Sequence, residues 1–324
     1  MIILGAGLAG CIAAHLFPGA RILEAGGPET VGAHRAVLRF RSDAIARLTG
    51  IPFRKVRVYK SVVAEGTHYC GGSVPVPILN AYSRKVSGRV SERSIFNLAL
   101  SDRWIAPEDF HYQLVKRLPV EFYRRISRVS PTALWSEDML EGIDRTDEPV
   151  ISTVPLPVIL AMTDLAKEYA MARFERAPIF VGQWRLPGWD VFQTNYYPLA
   201  DFGGIYRATV TGGVLIVESM DDTSWDRMGE VCASFGIDYG ACDPARHVDQ
   251  AGNTTTQQYG KINPLPDALR RAILLNVTRS AAVFSLGRFA TWRNLLLDDL
   301  PDDAEAIRGL IRMSEYEHSL AGSR

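Results

Sequence analysis

The chain opens on Ile2-Ile3-Leu4-Gly5-Ala6-Gly7-Leu8-Ala9-Gly10, continues through an apolar run from Cys11 to Phe17, and then reads Ala20-Arg21-Ile22-Leu23-Glu24. This order predicts a short buried strand, a glycine turn, a helix and a second strand that ends in an acid. The glycines stand at the spacing G-x-G-x-x-G. In that setting the first makes the tight turn, the second lets backbone N–H groups approach a pyrophosphate, and the third lets the helix pack closely on the strand. Glu24, 19 residues after Gly5, is placed to accept hydrogen bonds from ribose hydroxyls. Glycines used for packing alone would not need the second strand or its terminal acid. The expectation is an α/β fold containing a Rossmann-type, dinucleotide-binding parallel sheet.

The rest of the composition fits that expectation. With 324 residues, 47% hydrophobic and 22% charged, the chain can form about two domains around a sizeable core. Disorder, collagen-like repeats and coiled coil are excluded. No apolar stretch reaches the roughly 18 to 20 residues of a membrane helix. The apolar N-terminus lacks the basic region of a signal peptide. Cys11, Cys70, Cys232 and Cys242 form no CxxC pair, so neither a zinc site nor a disulfide framework is expected. No metal is expected, and a reducing cytoplasmic setting fits best.

The formal net charge of zero hides an asymmetry. Residues 1–128 hold 19 Lys and Arg against 9 Asp and Glu, and residues 129–324 hold 17 against 27. The excess is densest between His34 and Lys60, where Arg35, Arg39, Arg41, Arg47, Arg54, Lys55, Arg57 and Lys60 face only Asp43. Such a face would attract phosphates or nucleic acid. The alternative is that the two halves attract each other, or that the arginines snorkel over a solvated surface.

Further along, a helix is expected over 42–48 and a strand with alternating basic residues over 53–62. Gly71-Gly72 marks a turn. Val74-Pro75-Val76-Pro77 is expected to be extended, because the residue before a proline is biased away from helix. Helical sequence is expected from Tyr82 to about Lys116. A buried strand runs over 150–154, and 179–217 alternates as an antiparallel sheet with Val214-Leu-Ile-Val217 as its clearest strand. Helices are expected over 225–235, 268–274 and 288–298.

Taken in order, these motifs resemble the UDP-galactopyranose mutase branch of the FAD-dependent amine-oxidase-type flavoproteins. The turn from Gly5 to Gly10 with Glu24 matches that family's opening. Val31-Gly-Ala-His34 resembles its segment with a histidine beside the flavin. Val74-Pro-Val-Pro-Ile-Leu-Asn80 resembles its proline-rich strand, and Arg117-Leu-Pro-Val120 its central Arg-Ile-Pro-Val element. Ile151-Ser-Thr-Val-Pro155 resembles its strand end near the cofactor. Asn195-Tyr196 with Tyr206-Arg207 resembles its substrate-side sheet. Gly287-Arg288-Phe-Ala-Thr-Trp292-Arg-Asn294, followed by Asp298, resembles its second flavin motif, whose helix N-terminus faces the cofactor.

The resemblance implies FAD as cofactor, with contacts at Gly5, Ala6, Gly7, Leu8, Ala9, Gly10, Glu24, Ala25, His34, Arg35, Thr153, Pro155, Gly287, Arg288 and Asn294. It also implies a domain plan. An FAD-binding domain would take 1–75 with 140–178 and 275–324, a small and largely helical lobe 76–139, and an antiparallel-sheet substrate domain 179–274.

Where the mutases place a second, diphosphate-holding arginine, this chain has Glu121. The second tyrosine of the C-terminal motif is Asn294, and the threonine before the sheet arginine is Tyr206. The cofactor elements match and the substrate elements do not.

In its size, its early start and its basic segment His34-Arg-Ala-Val-Leu-Arg-Phe-Arg41, the chain is similar to bacteriophage flavoenzymes of thymine hypermodification in DNA. That similarity implies cleavage of a C–N bond in an amino acid, such as glycine, carried on the thymine methyl carbon, leaving an aminomethyl base. The setting would then be the host cytoplasm and the partner DNA, held by the basic face from Arg35 to Lys60.

Candidate cations for the substrate carboxylate are Arg39, Arg207 and Arg288, because a planar guanidinium binds carboxylate bidentately. His34 would polarise the substrate or adjust the flavin. Tyr196, Tyr206 and Trp292 would wall a pocket for an extruded base. The alternatives are a nucleotide-sugar isomerase and a small-molecule amine or amino-acid oxidase.

Overall fold

Ile2–Leu4 is buried along its whole length, as befits a parallel strand covered on both faces. The computed structural model describes residues 1–32, 37–72, 74–90, 95, 97–136, 142–145, 148–222, 224–244 and 254–322. The first part of the chain forms β1 (Ile2–Leu4), α1 (Leu8–Leu16), β2 (Arg21–Leu23), β3 (Arg39–Phe40), α2 (Ala44–Thr49), β4 (Arg54–Ala64) and β5 (Thr67–Cys70). Next come α3 (Val76–Ser87), β6 (Ser101–Ile105), α4 (Phe110–Lys116), β7 (Val120–Glu121), β8 (Ile126–Val129), β9 (Ala133–Ser136), β10 (Ile143–Asp144), β11 (Val150–Ser152) and α5 (Leu156–Met162). The chain continues with β12 (Arg176–Arg185), β13 (Val191–Tyr196), β14 (Ile205–Gly212), β15 (Val214–Ser219) and α6 (Met228–Ala233). It closes with β16 (Asp243–Pro244), β17 (Thr254–Ile262), α7 (Asp267–Ala281), β18 (Val283–Ser285) and α8 (Leu300–Gly322).

β1 is the middle strand of a parallel sheet ordered β18-β11-β1-β2-β7. Its alternating side chains enter two separate cores. Ile3 packs with Ile12 of α1, Phe110 of α4 and Ile307 of α8. Ile2 and Leu4 pack with Leu156 and Ile159 of α5 and with Ile273 and Val277 of α7. Helices therefore cover both faces, as a doubly wound α/β sheet requires.

The larger sheet is ordered β16-β12-β15-β14-β13-β4-β6-β3, with β17 on β12 and β5 on β4. Its pairings are antiparallel except β13 on β4. One face packs on α3 through Ile78, Leu79 and Tyr82. The other packs on α6 through Met228, Val231 and Cys232. An antiparallel three-stranded sheet, β10-β9-β8, joins the core below the parallel sheet.

Three local expectations fail for identifiable reasons. The Val74–Pro77 stretch is not a strand: α3 starts at Val76, with Pro75 as its N-cap and Pro77 in its first turn. Proline is tolerated there because first-turn N–H groups have no intrahelical acceptor. The span from Tyr82 to Lys116 is helical only at its ends, and Ser101–Ile105 pairs with β4 and β3 instead. The 288–298 helix does not form. Trp292 takes a left-handed φ of 47°, which a helix does not accommodate, and the next helix begins at Leu300. Among the described residues, no helix is long and apolar enough to cross a membrane.

Arg145, only 1% exposed, ties the small sheet to the parallel one. Its guanidinium donates to the carbonyls of Ser130 (2.7 Å), Glu148 (3.1 Å) and Ala281. Burial pulls its pKa down to about 10, yet it stays cationic at neutral pH. Arg145→Met should lower the unfolding free energy by about 3 kcal/mol, because it strands several buried acceptors. A denaturant midpoint that falls at unchanged slope would show this.

Candidate active site

The turn after β1 carries three glycines with different surroundings. Gly5 has φ 93°, and a Cβ there would stand 2.8 Å from the Thr153 hydroxyl. A Cβ at Gly10 would stand 1.8 Å from the Gly5 carbonyl oxygen, so α1 can lie against β1 only without a side chain. Gly7 is exposed, and a Cβ there would meet nothing within 4 Å. The protein itself gives no packing reason for that glycine. Gly7 is also the N-cap of α1, with no side-chain cap and no acid in the first turn. The open N–H groups and positive dipole end of α1 suit an anion that approaches over Gly7.

Neighbouring side chains hold this turn. The Glu24 carboxylate accepts from the N–H groups of Ala6 (2.6 Å) and Gly26 (2.7 Å). His111 accepts from Gly32 N–H at Nδ1 (3.2 Å), so its Nε2 carries the hydrogen facing the Ala6 carbonyl at 2.8 Å. The Thr153 hydroxyl donates to the Leu4 carbonyl (2.8 Å). Gly287, at φ 95°, brings its loop against Ala9, and a Cβ there would approach the Ala9 methyl to 3.2 Å.

A cavity of about 1310 Å³ runs from this cradle to the larger sheet. That exceeds the roughly 300 to 1,000 Å³ of ordinary small-ligand pockets and leaves room for a dinucleotide and a substrate together. Gly5, Gly7, Leu8, Ala9, Glu24, Ala25, Thr153, Pro155, Gly287 and Arg288 line its first part, and Arg39, Tyr196 and Arg207 its far part. Ala6 and Gly10 lie buried within the turn. Asn294 is exposed and does not line the cavity. His34 and Arg35 lie outside the described residues.

The two other aromatic candidates are core residues. Tyr206 is fully buried, packs on Tyr82 and lies under the Lys261 ammonium, 4.1 Å from its ring centroid. Trp292, also fully buried, donates to the Asn263 carbonyl (3.1 Å) and backs Tyr259. Tyr259 is the ring that reaches the cavity wall.

Arg39 owes its position to a two-residue strand. Phe40 turns into an aromatic cluster with Phe53 and Phe110, so Arg39 points to the opposite face. There its guanidinium donates to the Thr194 hydroxyl (2.7 Å) and the Val210 carbonyl (3.1 Å). Burial, followed by the nearby Arg207, brings its pKa down to about 10. Arg207 differs, because it forms a two-point pair with Glu218, which is 2% exposed. Burial works against both charges, but their attraction prevails and holds Glu218 below its ordinary value.

Sequence reasoning missed Arg103, Glu218, Lys261, Thr194 and His111, and took Lys60 for an outer-face residue. Lys60 lines the cavity together with Arg103, Glu218, Lys261 and Thr194. Nothing in the pattern of Ser101–Ile105 singles out Arg103, which only the pairing of β6 with β3 and β4 brings to this wall. Glu121 does not line the cavity and pairs with Arg21 at the sheet edge (3.0 Å).

The outer cations are paired. Arg41 binds Asp298 and Asp299, Arg47 binds Asp43, Arg54 binds Asp190, and Lys55 and Arg57 share Asp102.

No protein-family profile matches the sequence, and no curated protein does. Solved structures share the fold. The CLA-producing fatty acid isomerase of P. acnes is similar at 12% identity, over 94% of this chain and 97% of that one, with a TM-score of 0.59. An oxidoreductase from Methanosarcina mazei is similar at 9% identity, over 95% and 99%, with a TM-score of 0.52. CtdE, solved with FAD and a substrate, is similar at 14% identity, over 94% and 77%, with a TM-score of 0.50.

Gly7→Ala separates the ligand role of that glycine from a folding role. With open space around the new methyl, stability should fall by no more than about 1 kcal/mol. Dinucleotide retention should fall at least about tenfold, equivalent to about 1.4 kcal/mol. Thermal unfolding and cofactor content of one preparation check both.

Proposed function

We propose that this chain is an FAD-dependent enzyme that oxidises the C–N bond of an amino-acid group, with an amino acid on the thymine methyl carbon of DNA as its substrate. The observation that carries the cofactor reading is Gly7, a glycine with empty space where its side chain would be, at an uncapped helix N-terminus. Gly7 would hold the pyrophosphate, Glu24 the adenosine ribose, and Thr153 and the adjacent Gly287 loop would line the flavin end of the cavity. The fold neighbour solved with FAD supports the same cofactor.

Bound there, FAD supplies a two-electron acceptor that takes a hydride from a carbon bonded to nitrogen. The protein's part is to orient that carbon and exclude water. Loss of the hydride and a proton from an R–NH–CH₂–COO⁻ group leaves an imine, which water hydrolyses to an oxo acid and R–NH₂. Arg39 on the far wall supports a substrate with a carboxylate, and Tyr196, edge-on to Tyr82 at 5.6 Å, supplies a flat apolar surface beside it.

A second reading, a small-molecule amino-acid oxidase, is favoured by the ion pairs of the outer cations. Arg41, Arg47, Arg54, Lys55 and Arg57 each have a carboxylate partner, which weakens a DNA-holding role for that face. Titrating FAD-loaded protein with DNA bearing glycine on thymine, with free glycine and with UDP-galactose distinguishes the readings. Bleaching of the flavin band and release of glyoxylate with the DNA alone is the expected result. Bleaching by free glycine as well would favour the oxidase, and no response to either amine would overturn C–N oxidation.

A further inference from the structure

The cations of the basic stretch and its neighbouring strand differ in what holds them. Arg41, Arg47, Arg54, Lys55 and Arg57 pair with aspartates, whereas three that line the cavity are held by neutral atoms. Arg39 donates to a hydroxyl and a carbonyl, Arg103 to the Asp102 carbonyl (2.7 Å), and Lys60 to the Asn97 carbonyl (3.4 Å). Among the described residues, none of the three pairs with a carboxylate, and the one buried acid beside them, Glu218, is engaged by Arg207.

β-Sheet pairing brings them together. β6 pairs with both β3 and β4 and places Arg103 two residues from Ile105, the partner of Arg39. Burial and mutual repulsion depress Lys60, with Arg103 and Arg39 as the repelling charges. Clustered, partly desolvated like charges are unfavourable unless an anion joins them.

We propose that Arg39, supported by Lys60 and Arg103, is the receptor for the substrate's carboxylate and makes the site selective for acids over neutral amines of the same shape. A guanidinium has five N–H donors, and two of its nitrogens here serve Thr194 and Val210. Its Nε, buried and with no partner among the described residues, remains with an adjacent Nη hydrogen as a planar fork for two carboxylate oxygens. Arg207 is unsuited to this role because Glu218 occupies its fork. The choice of an amino-acid carboxylate rests on the proposed C–N oxidation, but the anion site does not.

The test uses the flavin-loaded protein and two probes of like shape, N-acetylglycine and its neutral amide N-acetylglycinamide, with affinities measured by calorimetry. The acid should bind at least about tenfold more tightly than the amide, equivalent to about 1.4 kcal/mol. Arg39→Gln should remove that preference while leaving the flavin spectrum in place, and Lys60→Gln should weaken acid binding by a smaller factor. Equal affinities for acid and amide in the unmodified protein would overturn the inference without any variant. A preference unchanged in Arg39→Gln would also overturn it. If the protein takes up no flavin but still prefers the acid, the cofactor reading fails and the anion site stands.

Discussion

The Gly5 carbonyl oxygen lies where a Cβ on Gly10 would come within 1.8 Å of it, and this close contact of α1 with β1 sets the geometry of the whole site. It brings the uncapped end of α1 to the edge of the parallel sheet beside the ends of β2 and β11. There Glu24 can bond the Ala6 N–H and Thr153 can bond the Leu4 carbonyl. The Gly287 loop reaches the same point from the other end of the chain, because Leu286 donates to the Ser152 carbonyl (2.8 Å). Three separated segments thus converge on one turn, and the cavity opens from it.

The far end of the cavity depends on a different constraint, the two-face alternation of strands. Phe40 enters the core and Arg39 the cavity, and along β4 Val58 and Lys60 face the cavity while Lys55 and Arg57 stay outside. The same basic stretch therefore serves two purposes. Its outward members join acids, several from the acidic part of the chain, and its inward members leave positive charge where a ligand would sit. The Arg207–Glu218 pair adds rigidity to this floor. Removing one partner of such a pair would cost about 3 to 5 kcal/mol, because a buried charge would be left uncompensated.

The dinucleotide turn was legible in the sequence because each of its requirements falls on a residue type that has few other uses. A glycine under a carbonyl, a glycine at positive φ and an acid at a strand end leave a local signature. The far wall left none. Arg39, Lys60 and Arg103 lie on three strands, and only sheet pairing brings them together. Periodicity failed at 288–298 for a physical reason: the apolar spacing suits a helix, but Trp292 takes a left-handed conformation and buries its ring against Phe174 and Tyr259. Exposed charge was likewise unreadable, since whether Arg54 meets a phosphate or Asp190 depends on a residue 136 positions away.

Whether the chain is built around an FAD molecule is tested most directly by the identity of what it carries. Protein reconstituted with a mixture of FAD, FMN, NAD and NADP would be separated from unbound ligand and denatured, and the released molecule identified by mass. FAD is expected at about one per chain, because the proposed site gives the pyrophosphate the Gly5 to Gly10 turn, the adenosine ribose Glu24 and the flavin the Gly287 side of the cavity. Release of a nicotinamide dinucleotide, or of none of the four from folded protein, would contradict an FAD-centred fold.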